Sequence, residues 1–544
     1  MKQSAILLIM TMALFSCETR KAADTVYYHA TIYTVDSLMT HVEAMAVKDG
    51  KIIATGSGDE IRSHYSAKNW IDLQGKYVYP GFFDAHCHFY GYGLGLQNAD
   101  LTGTTSMDEI IARLKKHQQQ HHSEWLIGRG WDQNEWKNKS FPEKEVLDKA
   151  FPGIPVVLER IDGHAYFVSS KVLQMAGIHP ATSVNGGRVV HNAKGEPSGV
   201  LVDNAMSLVY SILPKSDSVS DARALLDAQK NCLAVGLTCV ADAGLDAQVI
   251  GLMDALQQEQ KLKMRIYAMV NPNKENFEKY VYKGPFNNGR LVICAIKIYA
   301  DGALGSRGAL LSKPYSDDPG NSGLMVNTPA FYNEICSLAL KYGFQVNTHC
   351  IGDSANRMML HIYSGYLKGK NDRRWRIEHA QVVDPADLHL FGDYSVIPSI
   401  QTTHATSDMS WAEHRLGPER VKWAYAYRSL LEQNGWLPNG SDFPVEKINP
   451  LLGFYAAVAR KDIAGNPPNG FQVENALTRE QALRAMTIWA AKACFMEKET
   501  GSLEPGKQAD FVVTDQDLMS VEEHLLPRTR VLKTVIAEET VFGF

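Results

Sequence analysis

Two histidines stand close together at residues 81–93 (GFFDAHCHFYGYG), where an apolar run gives way to a glycine-rich loop. His86 and His88 are separated by one residue, so on an extended strand both side chains project from the same face, while Cys87 projects from the other. Two imidazoles on one face can bind a single metal ion. Taken alone, the pair is equally consistent with two partly exposed histidines at the end of a strand.

Further along the chain, several polar residues close short stretches that are otherwise apolar and β-branched. These residues are Lys297, His349, His379 and Asp442. The carboxyl ends of the strands of a parallel barrel meet at one face, and active sites of such barrels lie there. Four histidines and an aspartate at strand ends therefore predict a metal site at the mouth of a barrel.

The stretches that must position these residues alternate with amphipathic helical segments. One precedes His86, and the others are residues 237–242, 264–270, 291–301, 344–349, 374–380, 394–401 and 435–442. Apolar strands separated by helices are typical of a parallel sheet buried on both faces. Eight such units predict an α/β fold, a (β/α)8 TIM barrel.

The regions that flank the barrel have a different sequence pattern. Short alternating strands with turn signals fill residues 26–79, and matching strands fill residues 495–544, so we expect a β-sandwich domain formed from both termini. The barrel then spans residues 80–494. The stretch from about residue 95 to 220 is too long for one connection and is expected to be an insertion over the barrel mouth.

Lys297 lies inside an apolar strand, where burial lowers the pKa of an amine. A neutral amine can react with CO2 to form a carbamate, N6-carboxylysine, whose two oxygens can bridge two metal ions. The alternative is a buried ion pair between Lys297 and Asp301 or Asp442. The residues themselves leave both interpretations open.

The N-terminus predicts export. Residues 1–17 combine Lys2 with a short apolar run and end in Leu-Phe-Ser-Cys, which resembles a bacterial lipobox with Cys17 as the lipidated residue. Residues 18–25 would then be a tether. The prediction is an exported bacterial lipoprotein, anchored only by its lipid on the periplasmic or outer-membrane side. A plain secretory signal is the alternative.

Composition excludes some partners. The 544 residues carry a net charge of -5, and Lys and Arg are spread without a basic stripe, which argues against nucleic acid as a partner. Seven cysteines follow Cys17, an odd number without paired spacing and mostly within apolar segments. We therefore interpret them as small buried hydrophobic residues, not as a disulfide framework.

Five segments, in order, carry a resemblance to a known family: PGFFDAHCHF, IKIYADGALGSRGA, NTHCIGDSA, RIEHAQ and NGSDFPV. They resemble the amidohydrolase superfamily, most closely its YtcJ-like branch, which includes N-substituted formamide deformylases. The resemblance implies a TIM barrel with a β-sandwich from both termini and one or two divalent metal ions, usually zinc. It also implies the ligands: His86, His88 and Asp442 on the more buried ion, His349 and His379 on a second ion, and a carboxylated Lys297 as the bridge.

The resemblance also suggests residues that contact the substrate. Trp131, Asp132 and His164 lie in the expected insertion, and Arg307 follows the Lys297 strand, where it could hold a carboxylate or an amide oxygen. His404 ends Gln-Thr-Thr-His, which lacks the proline of the Gln-Pro-x-His pattern of that branch. The structural alternatives are a packing tryptophan, a turn aspartate, a capped histidine, a surface arginine and a solvated loop histidine.

Together these residues predict a metal-dependent hydrolase that cleaves a non-peptide C–N or amide bond of a small molecule with a metal-activated hydroxide. Asp442 would be catalytic, accepting a proton from the attacking water and passing it to the leaving amine. The same metal site would also serve a cyclic-amide hydrolase, a deaminase, an N-acyl amino acid deacylase or a dipeptidase. A non-enzymatic lipoprotein that binds a metal or solute is the other alternative, and a homodimer is left open.

Overall fold

The structure, a computed structural model, describes residues 20–543, so Cys17 and the expected signal segment lie outside the described residues. Its strands form three sheets. In chain order within residues 20–543 they are β1 (Lys21–Tyr33), β2 (His41–Val42), β3 (Ala44–Lys48), β4 (Lys51–Gly56), β5 (Tyr65–Pro80), β6 (Phe82–Cys87), β7 (Ala99–Asp100), β8 (Leu126–Trp131), β9 (Val156–Arg160), β10 (Ala165–Val168), β11 (Gly187–His191), β12 (Pro197–Asp203), β13 (Leu237–Leu245), β14 (Arg265–Val270), β15 (Phe286–Asn287), β16 (Leu291–Tyr299), β17 (Gln345–Cys350), β18 (Arg376–His379), β19 (Ile397–Ser399), β20 (Phe511–Thr514), β21 (Val531–Ile536) and β22 (Glu539–Gly543).

The α-helices mostly connect the barrel strands. In the same part of the chain they are α1 (Gly58–His64), α2 (Phe89–Gly95), α3 (Met107–His121), α4 (Glu145–Ala150), α5 (Ser170–Met175), α6 (Ser207–Tyr210), α7 (Ser218–Ala234), α8 (Ala247–Gln258), α9 (Lys274–Lys279), α10 (Pro329–Tyr342), α11 (Asp353–Leu367), α12 (His389–Asp393), α13 (Thr402–Asp408), α14 (Ala412–Arg420), α15 (Tyr427–Asn434), α16 (Pro450–Ala459), α17 (Arg479–Ala485) and α18 (Ile488–Ala493). Among the helices of residues 20–543, none has both the length and the apolarity needed to cross a bilayer.

Helix α10 shows how the sequence sets these boundaries. The side chain of Thr328 accepts a hydrogen bond from the backbone N–H of Phe331, and proline occupies the first turn. Gly343 ends the helix with a φ of 77°, a left-handed conformation that glycine adopts without strain. Between these ends, one face buries Tyr332 and Ile335 against the barrel core.

Seven parallel strands form the barrel, in the order β19-β18-β17-β16-β14-β13-β6. The expected eighth strand, residues 435–442, is not a regular strand, because Pro438 has no N–H to donate to a ladder. It still joins both neighbours: Ile400 N–H donates to Pro438 O (3.0 Å), and Ala85 N–H donates to Asn439 O (3.3 Å). The barrel therefore closes, and the TIM-barrel prediction is confirmed.

Both ends of the chain contribute strands to one sheet, ordered β22-β21-β20-β5-β1-β3-β4, with β2 paired to β1. The C-terminal β20 lies antiparallel to β5, with Phe511 opposite Pro80. Strand β1 begins at Lys21, opposite Tyr65, so residues 21–25 belong to this sheet and not to a tether. Their pairing is favourable because Ala23 is buried in the sheet.

The insertion has a sheet and a core of its own. Its six strands run in the order β11-β12-β10-β9-β8-β7. Side-chain hydrogen bonds hold it to the barrel: Arg129 Nη1 donates to Pro444 O (2.9 Å), and Arg415 Nη2 donates to Asn134 Oδ1 (2.7 Å). These contacts place the insertion beside the carboxyl ends of the barrel strands.

The cysteines behave as the sequence predicts. All seven cysteines in the described residues are buried and free of disulfides. Burial raises the pKa of thiols such as Cys87 and Cys232 well above the ordinary value. They are packing residues, and that prediction is confirmed.

Candidate metal centre and active-site cavity

The two histidines of the His-x-His pair converge on one carboxylate. His86 lies at the end of β6 and is fully buried, whereas the side chain of His88 is 31% exposed. Their Nε2 atoms lie 3.5 Å and 3.2 Å, respectively, from Oδ1 of Asp442. One ligand atom from each of the three residues fits within a 4.8 Å separation, so one ion can contact all three.

A second group shares Asp442. It consists of His379, His404 and Asp442, again with ligand atoms within 4.8 Å of one another. His404 Nε2 lies 3.3 Å from the Oδ2 atom of Asp442, and the rings of His379 and His404 stack 5.9 Å apart. The two oxygens of Asp442 thus face different histidine groups.

Three of these imidazoles are held in the same way, through Nδ1. The partners of Nδ1 are Glu378 Oε2 for His86 (2.5 Å), Ala243 O for His88 (3.1 Å) and Glu446 Oε1 for His404 (3.1 Å). Each ring therefore directs Nε2 towards Asp442. Histidines that bind metals are commonly fixed by such a carboxylate or carbonyl partner, which also raises the basicity of the free nitrogen.

Glu378 is a functional residue that the sequence analysis does not single out. Strand alternation points it away from His379, and in β18 it is fully buried inside the barrel. It forms a salt bridge with Arg376 (2.6 Å) and binds His86. Although burial opposes ionisation, Arg376 and His86 lower the pKa of Glu378 below the ordinary value of 4.5. The signal in the sequence that could have identified Glu378 is a charged residue on an otherwise apolar interior strand.

Asp84 is a second such residue. Its carboxylate accepts hydrogen bonds from Ser441 Oγ (2.6 Å), Ser441 N–H (3.0 Å) and His86 N–H (3.1 Å). It therefore joins β6 to the segment that carries Asp442. Burial raises the pKa of Asp84 to about 7. This contact sets the position of His86 relative to Asp442.

Lys297 is fully buried in β16, with Nζ 3.2 Å from Nε2 of His86. Burial lowers the pKa of Lys297 to about 8. No salt bridge links it to Asp301 or Asp442 in the described part of the chain. The Asp301 carboxylate instead accepts three backbone N–H groups, those of Leu310, Ile351 and Gly352. Within the described residues, Lys297 thus forms no direct salt bridge with either aspartate, although the charge of Asp442 raises the pKa of Lys297 against the effect of burial.

His349 lies beside these groups but belongs to neither. Its ring centroid is 4.6 Å from that of His379, and its Nε2 lies 3.4 Å from Gly302 O. Burial and the neighbouring His379 keep the pKa of His349 well below its ordinary value. The resemblance pairs His349 with His379 as ligands, and the two rings are adjacent; His404 also lies near His379, with a centroid distance of 5.9 Å.

The donor set fits a divalent metal ion. Within the described residues, Nδ1 of His379 and Oδ1 of Asp442 are buried and take part in no hydrogen bond. Both residues have positive φ values, 72° and 61°, which non-glycine residues rarely adopt. Imidazole with carboxylate is a combination that suits zinc and similar ions.

A cavity of about 1130 Å³ opens above these residues. The barrel contributes His349, His379, His404 and Asp442 to its walls, and the insertion contributes Arg129, Asp132, Arg160, Asp162 and His164. A volume of this size is in the range of, or above, typical small-molecule sites.

The predicted substrate residues separate into two sets. Asp132, His164 and His404 line the cavity. Asp132 contacts Arg160, and His164 Nδ1 lies 2.7 Å from Asp203, with its ring centroid 4.9 Å from that of His349.

Trp131 and Arg307 do not line the cavity. Trp131 is fully buried in the core of the insertion, where Nε1 donates to Leu158 O (2.9 Å). Strand alternation in β8 explains this, because Trp131 and the cavity-lining Asp132 face opposite sides. Arg307 forms a salt bridge with Asp317 (2.9 Å). Trp131 therefore packs inside the insertion, and Arg307 is held in an ion pair away from the cavity lining.

Comparison with known proteins decides the family. The amidohydrolase family model matches residues 69–542. The chain belongs to the amidohydrolase family. This amidohydrolase is 33% identical over 530 residues to the putative amidohydrolase YtcJ of Bacillus subtilis, which covers 95% of this chain and 99% of that protein.

Two further proteins are similar to this amidohydrolase, one in sequence and one in structure. It is 25% identical to the N-substituted formamide deformylase of Arthrobacter pascens, with 94% and 97% of the two chains covered. A crystal structure of an uncharacterized metal-dependent hydrolase from Pyrococcus horikoshii has a TM-score of 0.74 and 29% identity, covering 92% of this chain and 99% of that one. The predicted resemblance to the YtcJ-like branch is confirmed, and the chain is a metal-dependent hydrolase of this superfamily.

Proposed function

We propose that this amidohydrolase cleaves a non-peptide amide, or another C–N bond, of a small molecule. The observation that carries the proposal is the pair of histidine groups that share Asp442 at the floor of the cavity. The similarity to an N-substituted formamide deformylase supports the choice of bond.

In this proposal, the metal ligands are residues of the two histidine groups. His86, His88 and Asp442 would hold one divalent ion, and His379 and His404 with Asp442 would hold a second, with His349 kept as a predicted ligand beside His379. When bound, a divalent ion, here zinc, polarises a carbonyl group and makes water nucleophilic at neutral pH. Glu378 and Glu446 keep two of the imidazoles oriented for this role.

We also propose that Lys297 becomes N6-carboxylysine. The amine is buried, has no carboxylate partner among residues 20–543, and lies 3.2 Å from a ligand histidine. The ammonium first loses one proton, and addition of CO2 to the neutral amine then forms one N–C bond, converts one C=O double bond of CO2 into a carboxylate oxygen and releases a second proton, so that an anionic ligand replaces a buried cation. Such a ligand would complete a bridge between the two histidine groups.

Asp442 is the proposed proton carrier. Although burial opposes ionisation, the imidazoles of His404 and His88 hold the pKa of Asp442 well below its ordinary value of 3.8. The residue is therefore a carboxylate when the substrate arrives. It accepts a proton from the attacking water and delivers it to the leaving nitrogen.

The deciding experiment measures metal content and hydrolysis together. Protein lacking residues 1–17 is loaded with zinc, and a library of formyl and acetyl amides is screened for release of carboxylate and amine. Ammonia release with a retained carbonyl group would indicate a deaminase instead. Metal bound without turnover of any C–N substrate would support the solute-binding alternative.

Two variants refine the assignment. Asp442→Asn is expected to lose turnover by about 10² to 10⁴-fold while still binding metal. Lys297→Ala is expected to lower the metal content from about two ions to about one. The matched control is Asp393→Asn on the exposed face of α12. Near-normal turnover in Asp442→Asn would remove Asp442 from its role.

Localisation forms a separate proposal. We propose that Cys17 carries lipid and anchors the protein outside the cytoplasm, on the strength of the Leu-Phe-Ser-Cys segment. Labelled palmitate should enter the wild-type protein and not Cys17→Ala. Label that persists in Cys17→Ala would contradict the assignment.

A further inference from the structure

The walls of the cavity are rich in carboxylates. Among the lining residues, eight are Asp or Glu and three are Lys or Arg. Some of these carboxylates have cationic partners. The lining charges that have no partner determine which charge on a substrate the cavity can bind.

Both arginines of the cavity already have carboxylate partners. Arg160 is 1% exposed and binds Asp132, Asp162 and the side chain of Gln133. Arg129 donates to Ile161 O and Pro444 O and contacts Glu159 (3.4 Å).

Lys447, the third basic residue of the lining, is exposed. Neither lining arginine therefore offers an uncompensated charge to a substrate carboxylate.

Asp408 is the opposite case. It is a carboxylate in the cavity wall, and no Lys or Arg of the described residues lies within salt-bridge distance of it. Its Oδ2 accepts hydrogen bonds from the neutral groups Tyr425 OH (2.7 Å) and Gln381 Nε2 (3.5 Å). Its Oδ1 accepts no hydrogen bond, and no Lys or Arg pairs with it, in the part of the chain that the structure describes.

Carboxylates and one histidine surround Asp408. Burial raises the pKa of Asp408 to about 7, and the nearby Glu446 and Asp132 also raise it, whereas His404 and the Tyr425 hydroxyl lower it. His404 already faces both Asp442 and Glu446. A bound organic cation would pair with the Asp408 carboxylate and favour its ionised form.

We propose that the substrate of this amidohydrolase carries a cationic group, an ammonium or a guanidinium, that binds Asp408 in the cavity wall. This inference rests on the proposed function, because it names the substrate class of the same cavity. The Asp408 oxygen that accepts no hydrogen bond favours a cation, and the carboxylate partners of Arg160 and Arg129 disfavour N-acyl amino acids and dipeptides. Formation of the ion pair involves no covalent change.

Helix α13 sets the spacing between Asp408 and the proposed metal ligand His404. Asp408 lies four residues after His404 on α13, so the two are separated by about 6 Å along the helix axis. A linker of about four to six atoms between the amide and the cation spans that distance. The preferred substrates are thus amides of short diamines or of guanidino-alkylamines.

Binding is tested first, because it does not require turnover. The full-length, zinc-loaded chain is titrated calorimetrically with pentylguanidinium, 1-hexanol and pentanoate, which have similar size and differ in charge. Pentylguanidinium is expected to bind about tenfold or more tightly than the other two. Asp408→Asn should remove that advantage, and Asp408→Glu should retain part of it. Equal or weaker binding of pentylguanidinium overturns the inference.

Kinetics distinguish this inference from the proposed function. N-acetyl-1,4-diaminobutane and N-pentylacetamide differ only by NH3⁺ in place of a methyl group, and the matched formyl pair extends the test. The ratio of kcat/KM should favour the cationic member about tenfold and fall towards one in Asp408→Asn, with Asp393→Asn as control. Hydrolysis at equal rates overturns the inference and leaves the proposed function standing.

Cation binding without hydrolysis would also separate the two proposals. Binding of pentylguanidinium that depends on Asp408, without hydrolysis of any amide, supports the cation site and overturns the proposed function. Thermal unfolding of each variant shows whether Asp408→Asn folds, and Asp408→Glu provides a second variant if it does not.

Discussion

At the scale of single residues, the metal centre depends on groups that do not touch the metal. His86 is fixed by Glu378, and Glu378 is fixed by Arg376, all inside the barrel. Removal of the carboxylate would leave the imidazole free to rotate and Arg376 buried without a partner. Substitution of a residue that orients a metal ligand commonly lowers metal affinity or activity by about 10 to 100-fold.

Glu378→Gln is the corresponding prediction. The amide keeps the shape of the side chain but cannot supply a charged acceptor for His86. We expect zinc affinity to fall by about 10 to 100-fold, as measured by competition with a chromophoric chelator. Melting temperature should also fall, because the Arg376 charge loses its partner.

The matched control is Glu278→Gln, since the side chain of Glu278 is 60% exposed on α9. Its zinc affinity should equal that of the wild type. Unchanged affinity in Glu378→Gln would show that His86 holds its orientation without the carboxylate.

At the scale of elements, the loop after β16 explains how the insertion reaches the site. Asp203, at the end of β12, packs against Gly302 and Gly308 of that loop and holds His164. A Cβ atom at Gly302 would lie 2.3 Å from Oδ2 of Asp203, which is closer than atoms can approach. The glycines are therefore required for the insertion to dock.

Gly302→Ala is the prediction at this scale. The new methyl group should displace Asp203 and thereby His164, with a loss of about 100-fold in kcat/KM and little change in bound metal. Gly320→Ala is the control, because nothing lies within 4 Å of its Cβ position. Full activity in Gly302→Ala would mean that His164 does not contribute to the reaction.

At the scale of the whole molecule, the sheet from both ends of the chain is joined to the barrel by a buried ion pair. Arg265, at the start of β14, lies 2.6 Å from Asp510, just before β20. Asp510 also accepts the backbone N–H of Ala537 (2.9 Å). The C-terminal strands are thus tied to the barrel by charge as well as by strand pairing.

Asp510→Ala tests that connection. Because it leaves Arg265 buried without a partner, the free energy of unfolding should fall by about 3–5 kcal/mol in denaturant titrations. Asp515→Ala removes the partner of Arg530, which is 76% exposed, and should cost less than about 1 kcal/mol. Equal losses in both variants would show that the buried pair adds no stability.

Metal removal also acts on the whole molecule. The histidine groups join β6, β18, α13 and the closing segment of the barrel, so a bound ion stabilises contacts among four parts of the chain. At a free zinc concentration of 100 times Kd, the gain is about 2.7 kcal/mol. Calorimetry should show a lower Tm after chelation and recovery with zinc, and an identical Tm in both states would exclude metal binding at this site.

The sequence by itself determined the barrel and the positions of the candidate metal ligands on it. Apolar β-branched strands at regular intervals predict a parallel barrel, and polar residues at their ends must meet at one face, so His86, His88, His379 and Asp442 follow from local pattern. The buried cysteines follow from the same apolar pattern. These features depend on periodicity, which is encoded locally.

Only the tertiary structure decided which groups pair across the barrel. Glu378 contacts His86, from which it is separated by 292 residues of chain, and His404 joins His379 and Asp442 in one group, with His349 also beside His379. Trp131 turns into the core of the insertion. Such contacts depend on register, on the positive φ of His379 and on the packing of the insertion, and no local periodicity encodes the distance between residues so far apart in the chain.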